Sequence, residues 1–379
     1  MASNPLASLS ALGQSVWLDT IRRGLLTSGE FAHLVEVDGL RGVTSNPSIF
    51  EKAIAESDDY DDAIRALAAS GKTSTEICET LILGDIRRAA DLLRAVYERL
   101  EGRDGFVSLE VAPRLAHDTS ASIAEARRLW KAVDRPNLMI KIPATAEGVP
   151  AVRALLADGI NVNVTLLFGL SRYREVAEAY LAGLEARAQT GGSLKRLASV
   201  ASFFLSRIDT LLDPALEEVA RGTDARAQLA RSLHGQIAIA CARAAYGLYE
   251  EIFGAESFRR LAAAGARTQR LLWASTSTKN PAYSDVKYVE TLVYPATVNT
   301  LPLETIAAYR DHGHPAARPA QSVQHAQDLL ARLPELGIDL EAAARRLENE
   351  GVEKFARAQE LLISALERKR AAVASAARA

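Results

Sequence analysis

The sequence predicts an α/β fold, namely a closed (β/α)8 TIM barrel with extra helices and a helical C-terminal tail. Short β-branched apolar runs alternate with long Ala-, Leu-, Arg- and Glu-rich segments of helical periodicity. The strand-like runs are almost continuously apolar, which is typical of a parallel sheet that helices cover on both faces. Eight such runs occur, and eight parallel strands are the number that closes this kind of barrel.

The predicted strands follow one another along most of the chain. They are "SVWLDT" (15–20), "LRGVTSN" (40–46), "GFVSLEV" (105–111), "LMIKIPAT" (138–145), "INVNVTLLF" (160–168), "LASVASFF" (197–204), "RLLWAST" (270–276) and "KYVETLVY" (287–294). A doubly wound open sheet is the alternative arrangement. No glycine-rich phosphate loop follows the first strand, and this disfavours the open sheet.

We expect a single domain over residues 1–379. Its barrel core spans about residues 15–300, with a helical excursion at 225–265 and a helical C-terminal extension at about 303–379. The sequence does not indicate what either helical segment is for, although the tail could serve a homodimer.

Composition excludes several classes of partner. The formal net charge of the 379 residues is -2, and no basic run with interleaved aromatic residues occurs, so we expect no nucleic acid. No stretch reaches the roughly 18 apolar residues that a membrane span needs. There are 2 cysteines, and residues 1–16 lack a signal-peptide pattern, so we expect a reducing, cytoplasmic location.

Polar residues cluster where the predicted strands end, which is where barrels of this kind carry their active sites. These residues are Asp19, Thr20, Thr44, Ser45, Asn46, Ser108, Glu110, Lys141, Thr145, Asn161, Asn163, Thr165, Ser199, Ser202, Arg207, Ser275, Thr276, Ser277, Thr278 and Lys279. Each also has an ordinary structural interpretation. Asp19 could cap the next helix, Asn46 followed by Pro47 reads as a helix N-cap, and Asn163 could be a satisfied core residue. The structural interpretation explains poorly why nearly every strand carries such groups at the same end.

Lys141 is a primary amine in the middle of the apolar run "LMIKIPAT". Only nine of the 45 basic residues are lysines, so the chain uses arginine where any cation suffices. Arginine cannot form an imine whereas lysine can, and an apolar setting favours the free amine. An ion pair with Glu110 or Asp19 is an equally good interpretation from these facts alone. If Lys141 is a nucleophile, its polar surroundings indicate carbon–carbon bond chemistry through a Schiff base.

Four motifs carry a family resemblance. "GVTSNPSIF" (42–50), "LMIKIPATAEGVPAV" (138–152), "INVNVTLLF" (160–168) and "ASVASFFLSRID" (198–209) resemble the transaldolase family, in the order in which that family has them. The ending "LWASTSTKNPAYSDVKYVETLVYPATVNTLP" resembles the long bacterial subgroup. The resemblance implies a Schiff-base enzyme of the non-oxidative pentose phosphate pathway with no metal or organic cofactor. Such an enzyme moves a dihydroxyacetone unit from sedoheptulose 7-phosphate (or fructose 6-phosphate) to glyceraldehyde 3-phosphate (or erythrose 4-phosphate).

The resemblance also implies roles for individual residues. Lys141 would form the imine, Asp19 would act as the base in bond cleavage, and Glu110 would transfer protons through a water held by Thr165. The dihydroxyacetone hydroxyls would be bound by Asn46, Asn163 and Ser202, and the phosphate by Arg207, Ser275 and Lys279.

Lys279 and Phe204 bear on which activity and which phosphate site the resemblance implies. The shorter enzymes carry Ser-x-Arg after the seventh strand, and Lys279 replaces that arginine here. Phe204 stands where the related fructose 6-phosphate aldolases tend to have tyrosine, which favours transfer over release of dihydroxyacetone. A free aldolase on the same scaffold and a non-catalytic sugar-phosphate-binding barrel are the alternative functions.

Overall fold

The computed structural model describes residues 4–318 and 321–376 and has the predicted barrel. The eight strands are β1 Gln14–Leu18, β2 Gly42–Val43, β3 Phe106–Glu110, β4 Leu138–Pro143, β5 Val162–Leu167, β6 Ser199–Phe204, β7 Arg270–Ala274 and β8 Thr297–Leu301. All neighbouring strands are parallel, and β8 pairs with β1 to close the barrel. Because every strand runs in the same direction, their C-terminal ends form one face of the barrel.

Helices cover the outside of the sheet and extend beyond it. They are α1 Pro5–Ala11, α2 Arg23–Thr27, α3 Glu30–Val37, α4 Pro47–Ala55, α5 Asp61–Ala69, α6 Ser74–Leu92, α7 Arg94–Arg99, α8 Thr119–Val133, α9 Gly148–Asp158, α10 Leu170–Gln189, α11 Ser206–Ala220, α12 Ala225–Leu233, α13 Ile237–Gly254, α14 Glu256–Ala263, α15 Lys287–Glu290, α16 Leu303–His312, α17 Gln321–Ala331 and α18 Leu340–Ala376, with 3-10 turns at Pro113–Leu115 and Leu333–Leu336. Within the described part of the chain, no helix is long and apolar enough to span a membrane.

One predicted strand is wrong. Residues 287–294 form α15 and a turn, and the eighth strand is instead Thr297–Leu301. The buried side chains of the mispredicted run are Tyr288, Val289, Leu292, Val293 and Tyr294. The first four have the spacing of one face of a helix, whereas a strand buries alternate residues or all of them. The high β propensity of these residue types therefore misled the prediction.

The other predicted elements occur close to their expected positions. The excursion at 225–265 is helical, as predicted, and contributes α12, α13 and α14. The extension predicted at 303–379 forms α16, α17 and α18, although 319–320 and 377–379 lie outside the described residues. Helix α18 packs against α4, α5, α6 and α11 and against β5, so it crosses to the C-terminal face of the barrel. A single domain over residues 1–379 remains a prediction.

The N-terminal end of the barrel is filled by a saturated ionic network. Asp104, just before β3, accepts hydrogen bonds from Trp17 Nε1 at 2.7 Å, from both Nη atoms of Arg270 at 3.2 and 3.3 Å, and from Ser15 Oγ. Trp17 is fully buried, and a Cβ at Gly42 would lie only 2.5 Å from its ring. Gly42 is therefore the residue that lets Trp17 reach this carboxylate.

Candidate active site

A cavity of about 610 Å³ opens at the C-terminal ends of the strands. It is lined by nine of the eleven site residues that the sequence predicts, which are Asp19, Asn46, Lys141, Thr165, Ser202, Phe204, Arg207, Ser275 and Lys279. Glu110 and Asn163 are not part of its wall. Parallel pairing places Glu110 beside Lys141 and Lys141 beside Asn163, so all three belong to adjacent strands at one level of the barrel.

Lys141 lies in β4 and is only 4% exposed. Its neighbours Ile140 and Ile142 are fully buried, so the apolar run anchors the strand and leaves the amine as its one ionisable group. Lys141 Nζ donates a hydrogen bond to the Ser45 carbonyl oxygen at 3.0 Å and lies 3.5 Å from Glu110 Oε2. The amine thus reaches the cavity with one backbone acceptor and one carboxylate beside it.

The Glu110 carboxylate and the Thr165 hydroxyl are buried without hydrogen-bond partners among the described residues. Burial raises the pKa of Glu110 above its ordinary value, and the neighbouring Lys141 and the more distant Arg207 only partly oppose this. The raised pKa makes the Glu110 carboxylate a stronger base than that of an exposed glutamate. Buried polar atoms of this kind are rare in proteins, and they often mark functional positions.

Asp19 follows β1 and also lies deep in the cavity. Its Oδ1 accepts a hydrogen bond from Thr44 Oγ1 at 2.9 Å, and Thr44 Oγ1 lies 2.9 Å from Thr300 Oγ1. Burial raises the pKa of Asp19 and Glu304 adds to the increase, whereas Lys141 and the Thr44 hydrogen bond lower it. The interpretation of Asp19 as a helix cap is wrong, because α2 begins after Arg22 with no side-chain cap.

Asn46 and Asn163 both lie near the cavity, and each also makes hydrogen bonds within the fold. Asn46 caps α4, since its Oδ1 accepts a hydrogen bond from the Ile49 amide at 3.0 Å, and the predicted N-cap is confirmed. No described residue hydrogen-bonds its amide nitrogen, which remains available at the cavity wall. Asn163 is fully buried behind the wall, where it accepts from Ser202 Oγ at 2.7 Å and donates to Ser108 Oγ at 3.0 Å.

Cations and hydroxyls line the outer part of the cavity. The Arg207 guanidinium lies 5.4 Å from the ring centre of Phe204 and 5.9 Å from that of Phe355, and no described residue hydrogen-bonds or ion-pairs with it. Burial lowers its pKa. Lys279 Nζ donates to Ser277 Oγ at 2.7 Å, in the segment that follows β7.

The same segment contains a backbone conformation that L residues rarely adopt. Ser275 has a φ of 54°. Its carbonyl oxygen accepts a hydrogen bond from the Ser206 amide at 3.0 Å, and its Oγ lies 2.8 Å from Ser206 Oγ. This turn places the start of the β7 loop against the N-terminus of α11, one residue before Arg207.

Sequence reasoning missed several residues of the cavity. Thr44 was predicted among the polar strand-end residues but was given no role, and Thr300 lies on the strand that was predicted in the wrong place. Glu304 and Lys354 come from α16 and α18, whose sequences show only helical periodicity. No local signal identifies such residues, because packing of the helices on the barrel brings them to the site. Within residues 4–318 and 321–376, no three His, Cys, Asp or Glu side chains form a potential metal site.

A buried amine beside a carboxylate, at the C-terminal end of a (β/α)8 barrel, defines an enzyme that can form a Schiff base. Residues 16–366 match the family described as transaldolase/fructose-6-phosphate aldolase. The chain belongs to this family.

Close relatives match almost the whole chain. It is 49% identical to a transaldolase of Saccharopolyspora erythraea over 94% of this chain and 95% of the relative. It is 49% identical to a transaldolase of Mycolicibacterium smegmatis, covering 96% and 97%, and 48% identical to transaldolase 2 of a Nostoc species, covering 97% and 98%. The predicted family, enzyme class and transaldolase function in the pentose phosphate pathway are confirmed.

Proposed function

We propose that this enzyme carries a dihydroxyacetone unit on Lys141, taking it from sedoheptulose 7-phosphate or fructose 6-phosphate and passing it to glyceraldehyde 3-phosphate or erythrose 4-phosphate. The observation that carries the proposal is the position of Lys141. Its amine is buried at one end of a cavity, 3.5 Å from a carboxylate, while unpaired cations lie at the outer part. This distribution suits a sugar phosphate whose carbonyl reaches the amine and whose phosphate stays near the opening.

Imine formation requires two proton transfers. The free amine of Lys141 attacks the ketose C2 carbonyl to give a carbinolamine, which then loses its hydroxyl group as water. Glu110 supplies and accepts the protons through a water molecule that Thr165 holds, since the oxygens of both side chains have no hydrogen-bond partner among the described residues. Glu110→Gln should therefore slow the appearance of any trappable adduct.

Bond cleavage follows once the imine exists. Asp19 removes the proton of the C4 hydroxyl, and C4 becomes the carbonyl carbon of the departing aldehyde. The electron pair of the C3–C4 bond moves into the protonated imine, which gives an enamine. Attack of the enamine on the acceptor aldehyde reverses these steps, with Asp19 returning the proton. The proximity of Asp19 to Lys141 supports this role, since the positive charge of Lys141 lowers the pKa of Asp19 and partly opposes the effect of burial.

The enamine must be kept away from water until the acceptor arrives. Asn46 and Ser202 bind the hydroxyls of the dihydroxyacetone unit, and Asn163 holds Ser202 in position through its 2.7 Å hydrogen bond. Phe204 packs on Phe168 with ring centres 5.4 Å apart, and it presents an apolar face without an acidic hydrogen. Transfer to an aldehyde is therefore favoured over protonation and release.

The phosphate end of the substrate meets Arg207, Ser275 and Lys279. A guanidinium offers paired donors to phosphate oxygens, and the hydroxyl and ammonium groups complete a dianion site. Because Arg207 has no acidic partner among the described residues, it is free to pair with a ligand.

The test is an assay for transfer against release. With fructose 6-phosphate and erythrose 4-phosphate, sedoheptulose 7-phosphate should form; without the acceptor, free dihydroxyacetone should accumulate far more slowly. Phe204→Tyr should raise the rate of release relative to transfer, and Phe168→Leu serves as a packing control that introduces no hydroxyl. Equal rates of release with and without acceptor in the unsubstituted enzyme would favour the free aldolase.

A further inference from the structure

Helix α18 borders the cavity through a single face. Leu347, Glu350, Lys354 and Phe355 all line the cavity, and Gly351 lies on the same face. These positions are separated by three or four residues, the spacing of one helical stripe. A segment that is last in the sequence thus completes a site whose other walls are strand ends.

Gly351 sets how closely this helix approaches the barrel. A Cβ at this position would lie 2.8 Å from Leu166 Cδ2, closer than side-chain carbons normally come, and 3.5 Å from Arg207 Nη1. The helix backbone therefore lies directly against the end of β5 and the Arg207 guanidinium. Lys354 lies almost one turn further along the same face and also lines the cavity.

Lys354 is a cation without an acidic partner among the described residues. Partial burial lowers its pKa, and the neighbouring positive charges of Arg207, Lys279 and Lys52 lower it further. The nearest acid along the helix stripe, Glu350, pairs with Arg346 Nε at 2.7 Å, and its charge also raises the pKa of Arg207. Three cations, Arg207, Lys279 and Lys354, therefore line the cavity together with Glu304 and Glu350. Among the described residues none of the three forms an ion pair with an acid, so they remain available to a bound anion.

We propose that Lys354 binds the substrate phosphate, so that α18 supplies a third cation to the group formed by Arg207 and Lys279. This inference rests on the proposed function and specifies which residues recognise the phosphorylated end of its substrates. Lys354 takes no part in imine formation or cleavage, because Lys141, Asp19 and Glu110 lie at the inner end of the site.

The proposal is tested with Lys354→Gln against Arg357→Gln. Both substitutions remove one positive charge from an exposed position of α18, but Arg357 is not part of the cavity wall. Lys354→Gln should raise KM for fructose 6-phosphate roughly 5- to 10-fold, as expected for one charge-assisted contact that solvent partly screens. It should leave kcat nearly unchanged, weaken competitive inhibition by inorganic phosphate to a similar extent, and leave the imine yield with unphosphorylated fructose unaltered. Lys354→Arg should restore most of the affinity, and Arg357→Gln should change none of these values.

Three results would overturn the proposal: an unchanged KM and phosphate inhibition constant, an equal loss with unphosphorylated fructose, or an equal effect in Arg357→Gln. Borohydride trapping on the unsubstituted enzyme separates this failure from failure of the proposed function. If Lys141 is trapped but Lys354→Gln binds phosphate normally, only the role of Lys354 is wrong.

Discussion

The two ends of the barrel each contain a buried carboxylate beside a cation, yet the two pairs are built differently. At the N-terminal end, every oxygen of Asp104 accepts two hydrogen bonds, and its cation Arg270 contacts both oxygens. At the C-terminal end, Glu110 lies 3.5 Å from Lys141 Nζ, and neither of its oxygens has a hydrogen-bond partner among the described residues. The first pair is saturated by the fold, whereas the second leaves bonding capacity for a substrate.

The difference separates stabilising groups from reactive ones within one sheet. Removing one partner of a saturated buried ion pair strongly destabilises the protein, because the charge of the other partner then stays buried without compensation. An under-bonded group contributes little to folding and can even oppose it, since it has been desolvated without compensation. Substitutions at the two ends should therefore affect different measurements.

Apart from replacement of Lys141 itself, the largest effect is expected at Asp19. Asp19→Ala should lower kcat by about 10²- to 10⁴-fold, the usual contribution of a general base. The imine should still form, so borohydride should trap an adduct with the mass of the uncleaved sugar phosphate rather than of dihydroxyacetone. A folded Asp19→Ala enzyme with nearly normal kcat would contradict the cleavage mechanism.

Asp104→Asn should act on stability and leave catalysis intact. The amide cannot accept all four hydrogen bonds and leaves Arg270 without its counter-ion, so we expect a loss of about 3 kcal/mol or more in the free energy of unfolding. Denaturant unfolding measures the loss, and kcat and KM of the folded fraction should stay within about twofold of the unsubstituted values. A large change in kcat at full folding would show that the two ends are coupled.

Arg207→Ala should mainly weaken substrate binding. One charge-assisted contact is worth roughly 1.5–3 kcal/mol, which corresponds to about 10- to 150-fold in KM for phosphorylated substrates. Steady-state kinetics with fructose 6-phosphate gives the value, and Arg172→Ala is a control, since Arg172 pairs with Glu175 and Glu348 away from this cavity. A fall in kcat at constant KM would assign Arg207 to the chemistry instead.

The smallest predicted effect is an increase in the free energy of unfolding when Asp19 is replaced by asparagine. Burial raises the folded-state pKa of Asp19 above its ordinary value of 3.8. A group shifted in this direction stabilises the fold below its unfolded pKa, and this contribution is lost as pH rises through the folded value. The carboxyl group therefore disfavours folding increasingly as pH rises above 3.8, and at pH 7 Asp19→Asn should raise the free energy of unfolding.

The pH dependence distinguishes this cause from a general packing effect. The gain in Asp19→Asn should shrink as pH falls towards 3.8, because the native carboxyl group is then protonated as well. Unfolding curves at several pH values test it, and a gain that is independent of pH would contradict the burial explanation. At neutral pH, Asp19→Asn should increase the free energy of unfolding and Asp104→Asn should decrease it. These opposite changes reflect the contrast between the two barrel ends.

Local chemistry made much of this site predictable from the sequence. Lys141 was recognisable because a lysine in an apolar strand is conspicuous in a chain that prefers arginine, and the cap at Asn46 was readable from Pro47. The partners Thr44 and Thr300 depend on barrel closure, which brings β2 and β8 to either side of β1. Lys354 depends on how α18 packs, and no periodicity in its own helix distinguishes it from Arg357. The sequence therefore predicts site residues that belong to the barrel strands themselves. It does not predict residues that reach the site only because a distant helix packs there.

The most direct test of the account is to trap the imine and locate it. Incubation with fructose 6-phosphate and borohydride, followed by peptide mass mapping, should add one dihydroxyacetone unit to the peptide that contains Lys141. Lys141→Arg keeps the positive charge beside Glu110 and should fold, yet it should trap nothing and lose essentially all turnover. Label on Lys279, Lys287 or Lys354, or trapping that survives Lys141→Arg, would contradict the assignment of the reactive amine.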